Sequence, residues 1–216
     1  MEERDKFFAL APNQYPQFSD FFRYELLHQR GGWWIDTDVL CRSPTLPSQP
    51  IVVGETRRGK LCNAIMRFPA GHPLLAEASA YCRSYQHNLL NSHRTAIGPM
   101  LMIDLIKAYP IEVCDKDLFY PIRTKHVWQF GEPKSAGDVN RTVDSSPMVH
   151  WFQEYFRAAG LPREMLPPAG SFLADAFTAH GGAHERHISL DDYQAHASRW
   201  KNRDQQEEAG TEGAKG

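Results

Sequence analysis

The sequence contains few cysteines, and none of them belongs to a CxxC pair. The four that it has are widely spaced along the chain, at Cys41, Cys62, Cys82 and Cys114. This spacing argues against a zinc knuckle and against a dense disulfide framework. We therefore expect buried free thiols in a reducing compartment.

Basic runs and long apolar runs are also missing. Lysine and arginine number 24 against 26 aspartates and glutamates, which gives a formal net charge of −2. A nucleic-acid partner therefore has no electrostatic support. The first residues, 1–6, are mostly charged and no long apolar stretch follows them, so we expect neither a signal peptide nor a membrane span. These absences predict a soluble, cytoplasmic protein.

The residues that are present suffice for one hydrophobic core. The chain has 216 residues, of which 42% are apolar, and this length suits one domain or a small pair. Helical and extended patterns alternate along it, which predicts the α/β class. We expect a single domain over residues 1–200. A disordered polar tail is expected over residues 201–216, where the sequence is rich in Glu, Gly and Ala and shows no periodicity.

The first clear helix and the strand after it have recognisable boundaries. Ser19 or Asp20 is expected to cap the helix, and Gly31 is expected to end it, because glycine adopts the left-handed conformation without a side-chain clash. Residues 33–40 then predict a strand. Alternation along that strand places Trp34, Asp36 and Asp38 on one side.

The remaining elements follow from apolar patterns and from proline positions. Strands are expected at 51–54 and 64–68, and shorter ones around 111–114 and 119–122. Helices are expected from 73 to about 90 and over 99–109, 151–159 and 172–179. The polar region 131–146 is interpreted as a loop.

The pair of acids at the end of the 33–40 strand predicts a cation site. Two carboxylates one residue apart on extended backbone point to the same side. Carboxylate oxygens are ligands of hard divalent cations such as Mg²⁺ and Mn²⁺. A cation held by Asp36 and Asp38 can bind substrate phosphates. The pattern therefore predicts chemistry on a nucleotide or a phosphate ester.

Several short motifs occur in a fixed order from Ser19 to about Leu173. The first are Ser19-Asp20-x-x-Arg23-Tyr24 and Gly31-Gly32-Trp33-Trp34-Ile35-Asp36-Thr37-Asp38. They continue with Asn63-Ala64, Gly71-His72-Pro73, Ile97-Gly98-Pro99, Phe119-Tyr120-Pro121 and His150. This series resembles the DxD-containing sugar-binding region of glycosyltransferase family 32, which includes mannosyltransferases, α1,4-glycosyltransferases and many bacterial capsule enzymes.

The resemblance implies a fold, a reaction and a cofactor. The fold is the GT-A-like nucleotide-diphospho-sugar transferase fold. The reaction is a retaining transfer from a nucleotide-sugar donor to a saccharide or glycolipid acceptor, as in cell-surface polysaccharide synthesis. The cofactor is Mn²⁺ or Mg²⁺. No nucleic acid is implied as a partner.

The resemblance also implies roles for individual residues. Asp36 would contact the ribose or sugar of the donor and support the metal, and Asp38 would ligate the metal directly. Asp20 and Arg23 would hold the nucleoside or donor sugar. The remaining two roles belong to Trp34, beside the nucleotide, and to His150, as a late contact to the metal or the diphosphate.

Three features depart from the family pattern. Ile97 stands where the family has threonine, and the aromatic residue of the His-x-Trp element is Phe152, with Trp151 between it and the histidine. Only eighteen residues precede Ser19, whereas a strand–helix–strand unit needs about 30 or more. We therefore expect the first half of the nucleotide-binding sheet to be missing.

Other interpretations of the same residues stay open. Asp20 and Arg23 would form only a cap and an ion pair, Trp34 would be part of the core, and His150 would be a hydrogen-bonded core histidine. The segment from His184 to His187 is one residue short of the HExxH spacing and is interpreted as solvated.

Two other functions also fit the acids. In a haloacid-dehalogenase-like phosphatase, Asp36 and Asp38 would be the nucleophile and the acid, and Asp191 and Asp192 the later metal carboxylates. The third possibility is a non-catalytic remnant of a glycosyltransferase.

Overall fold

The structure is a computed structural model that describes residues 15–57, 60–85, 96–162, 164–182 and 186–199. It is mixed α/β with small sheets, which confirms the predicted class at that level. The chain divides into two compact units. Unit 1 contains Met1–Thr37 and Ser43–Tyr120, and unit 2 contains Asp38–Arg42 and Pro121–Gly216. The single domain over 1–200 stays a prediction, and the predicted tail over 201–216 lies outside the described residues.

The elements are short. The strands are β1 (Gly32–Ile35), β2 (Val39–Cys41), β3 (Val52–Arg57), β4 (Lys60–Phe68) and β5 (Met148–His150). The α-helices are α1 (Tyr15–Arg30), α2 (Pro73–Tyr85), α3 (Pro99–Ala108), α4 (Ala136–Thr142), α5 (Gln153–Ala158) and α6 (Phe172–Ala179). Within the described residues, 3₁₀ helices cover Lys116–Leu118, Thr124–Gly131 and Pro133–Ser135. A further helical segment covers residues 190–199.

Unit 1 is built on an antiparallel sheet in the order β1-β4-β3. Its core combines apolar residues of α1, α2 and α3 with those of strands β3 and β4. The largest of these include Tyr24, Leu27, Met66, Phe68, Leu74, Leu75 and Met102, all essentially inaccessible to solvent. Burial of this apolar surface is the main term that holds the unit together.

Helix α1 begins earlier than the sequence predicts. Its buried residues include Gln17, Asp20, Tyr24 and Leu27, a spacing of three and four that forms one face. Asp20 therefore lies inside the helix on its buried face, and the interpretation of Ser19 or Asp20 as a cap is wrong. The predicted end is confirmed, since Gly31 has a φ of +64° and its N–H donates to the carbonyl of Leu27 at 2.8 Å.

The predicted strand over residues 33–40 is in fact two strands in two different sheets. β1 ends at Ile35, residues 37 and 38 form a turn, and β2 begins at Val39. β1 pairs with β4, whereas β2 pairs with β5. A run of alternating residues does not specify which strand each part of it will pair with, so the pattern did not indicate the break between β1 and β2.

Other predicted elements have mixed outcomes. The helices at Pro99–Ala108 and Phe172–Ala179 are confirmed, and the helix that starts at Pro73 is described as far as Tyr85. Residues 119–122 form no strand, and of residues 111–114 only Cys114 forms an isolated bridge, with Gly54. The prediction of a loop over residues 131–146 is wrong, because this region contains a 3₁₀ helix and helix α4.

Unit 2 contains the two-stranded antiparallel sheet of β2 and β5, in which Val39 is opposite His150. Its core contains an aromatic cluster, in which Trp128 packs against Phe156 and Tyr193 at ring-centroid distances of 5.1 and 5.6 Å. The hydroxyl of Tyr193 donates to the carbonyl of Trp128 at 2.8 Å. A Cβ at Gly131 would lie 2.4 Å from the Tyr193 ring, so this position requires glycine.

The cysteines of the chain are free thiols. Cys82 is buried, and burial raises the pKa of its thiol well above the usual range. Cys41 is exposed and Cys62 and Cys114 are partly exposed, so the expectation of buried thiols holds for Cys82 and is wrong for Cys41. Among the helices that the structure describes, none combines the length and the apolar character needed to cross a bilayer.

The two glycines that follow α1 give a matched test of this turn. Both have positive φ, but a Cβ at Gly31 would lie 2.6 Å from the backbone nitrogen of Ala70, whereas one at Gly32 would meet nothing within 4 Å. Gly32→Ala should cost about 1–2 kcal/mol from backbone strain. Gly31→Ala should cost about 1–3 kcal/mol more from the clash. Equal losses in urea unfolding would contradict the close approach of α1 to residue 70.

Candidate functional site

A buried guanidinium lies at the centre of the polar residues of unit 1. Arg23 is 5% exposed, and an arginine stays charged at any pH the fold tolerates. Its Nη1 donates to the carbonyl of Asn63 at 2.5 Å. Its Nη2 and Nε donate to the hydroxyl and the carbonyl of Ser19, at 3.1 and 3.3 Å. These contacts fix the orientation of the side chain.

Two carboxylates compensate this charge. Arg23 Nη2 lies 3.4 Å from Asp20 Oδ1 and 3.4 Å from Asp36 Oδ1. The Arg23 Cζ atom also lies 5.0 Å from the centroid of the Trp34 ring, a cation–π distance. Asp36 is the more accessible acid, with 26% of its side chain exposed against 9% for Asp20.

Asn63 and Tyr24 complete the shell around Asp20. Asn63 Nδ2 donates to Asp20 Oδ1 at 2.7 Å and lies 3.2 Å from the Tyr24 hydroxyl. That hydroxyl donates to the carbonyl of Gly98 at 3.3 Å. Burial, together with the charge of Asp20, raises the pKa of Tyr24 well above its usual value, so the phenol keeps its proton.

Gly98 allows this arrangement by lacking a side chain. A Cβ there would lie 2.5 Å from Asp20 Oδ2, so any larger residue would displace the carboxylate. The glycine of the Ile97-Gly98-Pro99 motif therefore has a packing role beside Asp20. It also precedes Pro99, which takes the first turn of α3.

Trp34 and Asp36 lie on the same side of the backbone, as alternation predicts. Trp34 Nε1 donates to Asp36 Oδ1 at 2.6 Å. The backbone N–H of Asp36 donates to the carbonyl of Ala64 at 2.8 Å, which extends the β1–β4 pairing by one residue. The indole also meets the edge of Phe22 at a centroid distance of 6.0 Å. Four of the six predicted site residues, Asp20, Arg23, Trp34 and Asp36, thus form one connected group.

The other two predicted residues form a pair in unit 2. His150 Nε2 lies 3.0 Å from Asp38 Oδ2, and the backbone N–H of Gln153 donates to the same oxygen at 2.9 Å. The backbone N–H of Trp151 donates to the carbonyl of Asp38 at 3.1 Å. The hydrogen bonds between β2 and β5, together with the bond from Trp151 to Asp38, therefore hold Asp38 and His150 next to each other.

Opposing effects set the acidity of Asp38. Burial by itself raises the pKa of its carboxyl group, but the hydrogen bond and charge of His150 and the N–H of Gln153 outweigh burial. The pKa lies below its usual value. Asp38 is therefore ionised at neutral pH, as a metal ligand must be.

Phe152, which follows this pair in the chain, has an unusual backbone conformation. Its φ and ψ are 56° and 59°, and among the described residues the other positions with positive φ are glycines. The left-handed conformation costs an L-residue roughly 1–2 kcal/mol. Its ring lies on the imidazole of His150, with the two centroids 4.1 Å apart.

The donor atoms of Asp38 and His150 fit a divalent cation. Neighbouring ligands in an octahedral shell of radius about 2.1 Å are separated by about 3.0 Å, and the carboxylate oxygen and imidazole nitrogen are 3.0 Å apart. Oxygen and imidazole nitrogen are ligands of first-row divalent metals.

Sequence reasoning missed Asn63 and Phe152 as members of these two groups. An amide inside the apolar strand β4 was the available signal for Asn63. Of the later aspartates proposed for a phosphatase, Asp192 forms a local hydrogen-bonded pair with Ser189: Ser189 Oγ donates to Asp192 Oδ2, and the Asp192 N–H donates to Ser189 Oγ. His184, one end of the near-HExxH segment, lies outside the described residues.

Comparison with protein families adds one finding. Residues 8–51 match a family model described as "Capsular polysaccharide synthesis protein". The matched stretch includes Asp20, Arg23, Trp34, Asp36 and Asp38. At a coarse level it fits a polysaccharide-related glycosyltransferase. No curated protein and no solved structure matches the chain.

The Asn63 amide gives the first test of the unit 1 group. Asn63→Ala would remove a buried hydrogen bond to Asp20, so the free energy of unfolding should fall by about 1–3 kcal/mol. Asn140→Ala, which removes an exposed amide bonded to the carbonyl of Ala136, should change it by less than about 0.5 kcal/mol. Urea unfolding measures both. A loss at position 63 no larger than at 140 would show that Asp20 does not depend on this amide.

The lowered pKa of Asp38 predicts a pH dependence. Its ionised form contributes stability that is fully present above the unfolded pKa of about 3.9. That contribution is lost as pH falls through the lower folded value. Wild type should therefore lose more stability than Asp38→Asn on acidification below about pH 5. The exposed control Asp138→Asn should follow wild type. Parallel pH profiles of unfolding for Asp38→Asn and wild type would rule the effect out.

Proposed function

We propose that this chain is a metal-dependent retaining glycosyltransferase of GT-A-like fold. It takes a sugar from a nucleotide-sugar donor and passes it to a saccharide or glycolipid acceptor in cell-surface polysaccharide synthesis. The observation that carries the proposal is the pairing of Asp38 with His150, whose donor atoms have the separation of neighbouring metal ligands. The capsular family match over residues 8–51 supports the part of the proposal that concerns polysaccharide synthesis.

Asp38 and His150 are the proposed ligands of Mn²⁺ or Mg²⁺. Asp36, two residues earlier in the chain, keeps the role that the resemblance implies, supporting the metal and contacting the donor's ribose or sugar. When bound, the cation neutralises the charge that develops on the departing diphosphate, without any proton transfer. The low pKa of Asp38 keeps this ligand ionised, so no proton on it competes with the cation.

The unit 1 group is the proposed contact for the nucleoside or donor sugar. Its carboxylates can accept hydrogen bonds from sugar hydroxyls. Arg23 is engaged by Ser19, Asn63 and both acids, so its role is to fix Asp20 and Asp36 in place. Trp34 presents a flat half-buried ring beside Asp36, suited to stacking by a nucleobase.

Donor hydrolysis provides the direct test. With Mn²⁺ and a panel of nucleotide sugars, the protein should release nucleoside diphosphate slowly from one donor, as measured by chromatography. Asp38→Ala should reduce the rate at least 100-fold, because a removed metal ligand also removes charge stabilisation. Asp138→Ala, which removes an exposed acid paired with Arg141, should leave the rate unchanged.

A generic phosphate ester assayed in parallel separates the other functions. Release of phosphate from the ester, abolished by Asp36→Ala, would favour a phosphatase and contradict our proposal. No release from any donor or from the ester would favour a non-catalytic protein.

A further inference from the structure

We infer that Phe152 is a positioning residue that holds Asp38 and His150 in a metal-binding arrangement. This inference rests on the proposed function, because the cation is the ligand that the arrangement would take. Phe152 does not contact the cation in this account. Its backbone conformation acts on Asp38, and its ring acts on His150.

The backbone effect concerns where the chain turns. β5 ends at His150, and the N–H of Trp151 still pairs with the Asp38 carbonyl at 3.1 Å. At Phe152 the chain takes a φ of 56° and then enters helix α5. This reversal places the N–H of Gln153 against Asp38 Oδ2 at 2.9 Å. The left-handed residue therefore directs a backbone donor to the same carboxylate oxygen that His150 contacts.

The ring effect concerns the imidazole. The Phe152 ring is 4.1 Å from the His150 ring between centroids, with the planes at 45°. It is 9% exposed and meets Tyr155 edge-on at 6.1 Å. A ring held in this way restricts rotation of the imidazole and so fixes the direction of Nε2 towards Asp38. Outer groups that orient metal ligands commonly change metal affinity 10- to 100-fold when they are removed.

The choice of residue at 152 indicates a role beyond chain reversal. Glycine adopts a left-handed conformation most easily, and it occupies the other described positions with positive φ. Strained backbone of this kind persists where surrounding structure enforces it and concentrates at functional sites. Here an aromatic residue occupies the strained position, and its ring contacts one of the two proposed ligands.

Phe152→Gly and Phe152→Tyr isolate the effect of the ring. Glycine keeps the backbone conformation and removes the ring, whereas tyrosine keeps both. The first measurement is the NMR signal of the His150 Nε2 proton in metal-free protein, assigned by its loss in His150→Gln. The second is the Mn²⁺ dissociation constant from electron paramagnetic resonance. Phe177→Ala, which removes another partly exposed aromatic of unit 2, is the control.

We expect Phe152→Gly to lose the Nε2 proton signal to solvent exchange and to bind Mn²⁺ at least tenfold more weakly. Phe152→Tyr and Phe177→Ala should behave as wild type. If urea unfolding shows that Phe152→Gly does not fold, Phe152→Leu, which keeps apolar bulk without a flat ring, should show the same losses. An unchanged signal and affinity in the folded variant would overturn the inference.

The two measurements also separate this inference from the proposed function. A wild-type protein that shows the proton signal but binds no Mn²⁺ would refute the metal-dependent reaction. The signal in Phe152→Gly would then still decide whether Phe152 positions the pair. Wild-type Mn²⁺ binding that Asp38→Ala abolishes and Phe152→Gly leaves intact would refute the inference and keep the proposed function.

Discussion

The burial of one permanent positive charge constrains the rest of unit 1. A guanidinium cannot lose its proton to relieve the cost of leaving water, so the fold must supply anions and acceptors around Arg23. Helix α1 supplies Asp20 and Ser19, and strand β4 supplies the Asn63 carbonyl. The fourth group is Asp36, which directly follows β1. Removing one partner from a buried pair of this kind typically costs about 3–5 kcal/mol. The positions of α1, β1 and β4 are thus tied to one another by charge as well as by apolar packing.

The same charge accounts for the position of both carboxylates. Asp20 and Asp36 each lie 3.4 Å from Arg23 Nη2, and Asp36 is the more accessible of the two. Trp34 adds a hydrogen bond from its indole N–H to Asp36 Oδ1. The ion pair of Asp20 with Arg23 and the packing of Trp34 against the core, two roles that the sequence left open, are therefore both present.

Parts of the fold were predictable because they depend on local chemistry. Gly31 ended α1 as expected, and Pro99 marked the start of α3, since both act through their own backbone preferences. The prediction of one strand over residues 33–40 was wrong for the opposite reason. Its period of two was correct as far as Asp36, but partner choice depends on residues far along the chain, such as Ile65 and His150. Asp20 was misassigned as a cap because aspartate is common at helix starts.

The candidate site was predictable to a similar extent. Alternation alone brought Trp34 and Asp36 to one side, whereas the pairing of Asp38 with His150 could be anticipated only through resemblance to a family. Asn63 was missed because a strand amide has no periodic signature. Phe152 was missed because a left-handed aromatic residue cannot be recognised from its own identity. Both depend on tertiary contacts that the sequence does not encode locally.

The absence of a side chain at Gly98 has a consequence for sequence comparison. The space that a Cβ would fill is occupied by the carboxylate of Asp20. A side chain at position 98 and this aspartate in its present position therefore exclude each other. Any relative that carries a side chain at the position of Gly98 must lack the acid at the position of Asp20, or hold it elsewhere. The pair would therefore vary together during evolution. Such covariation would distinguish chains that retain this carboxylate pocket from those that have abandoned it.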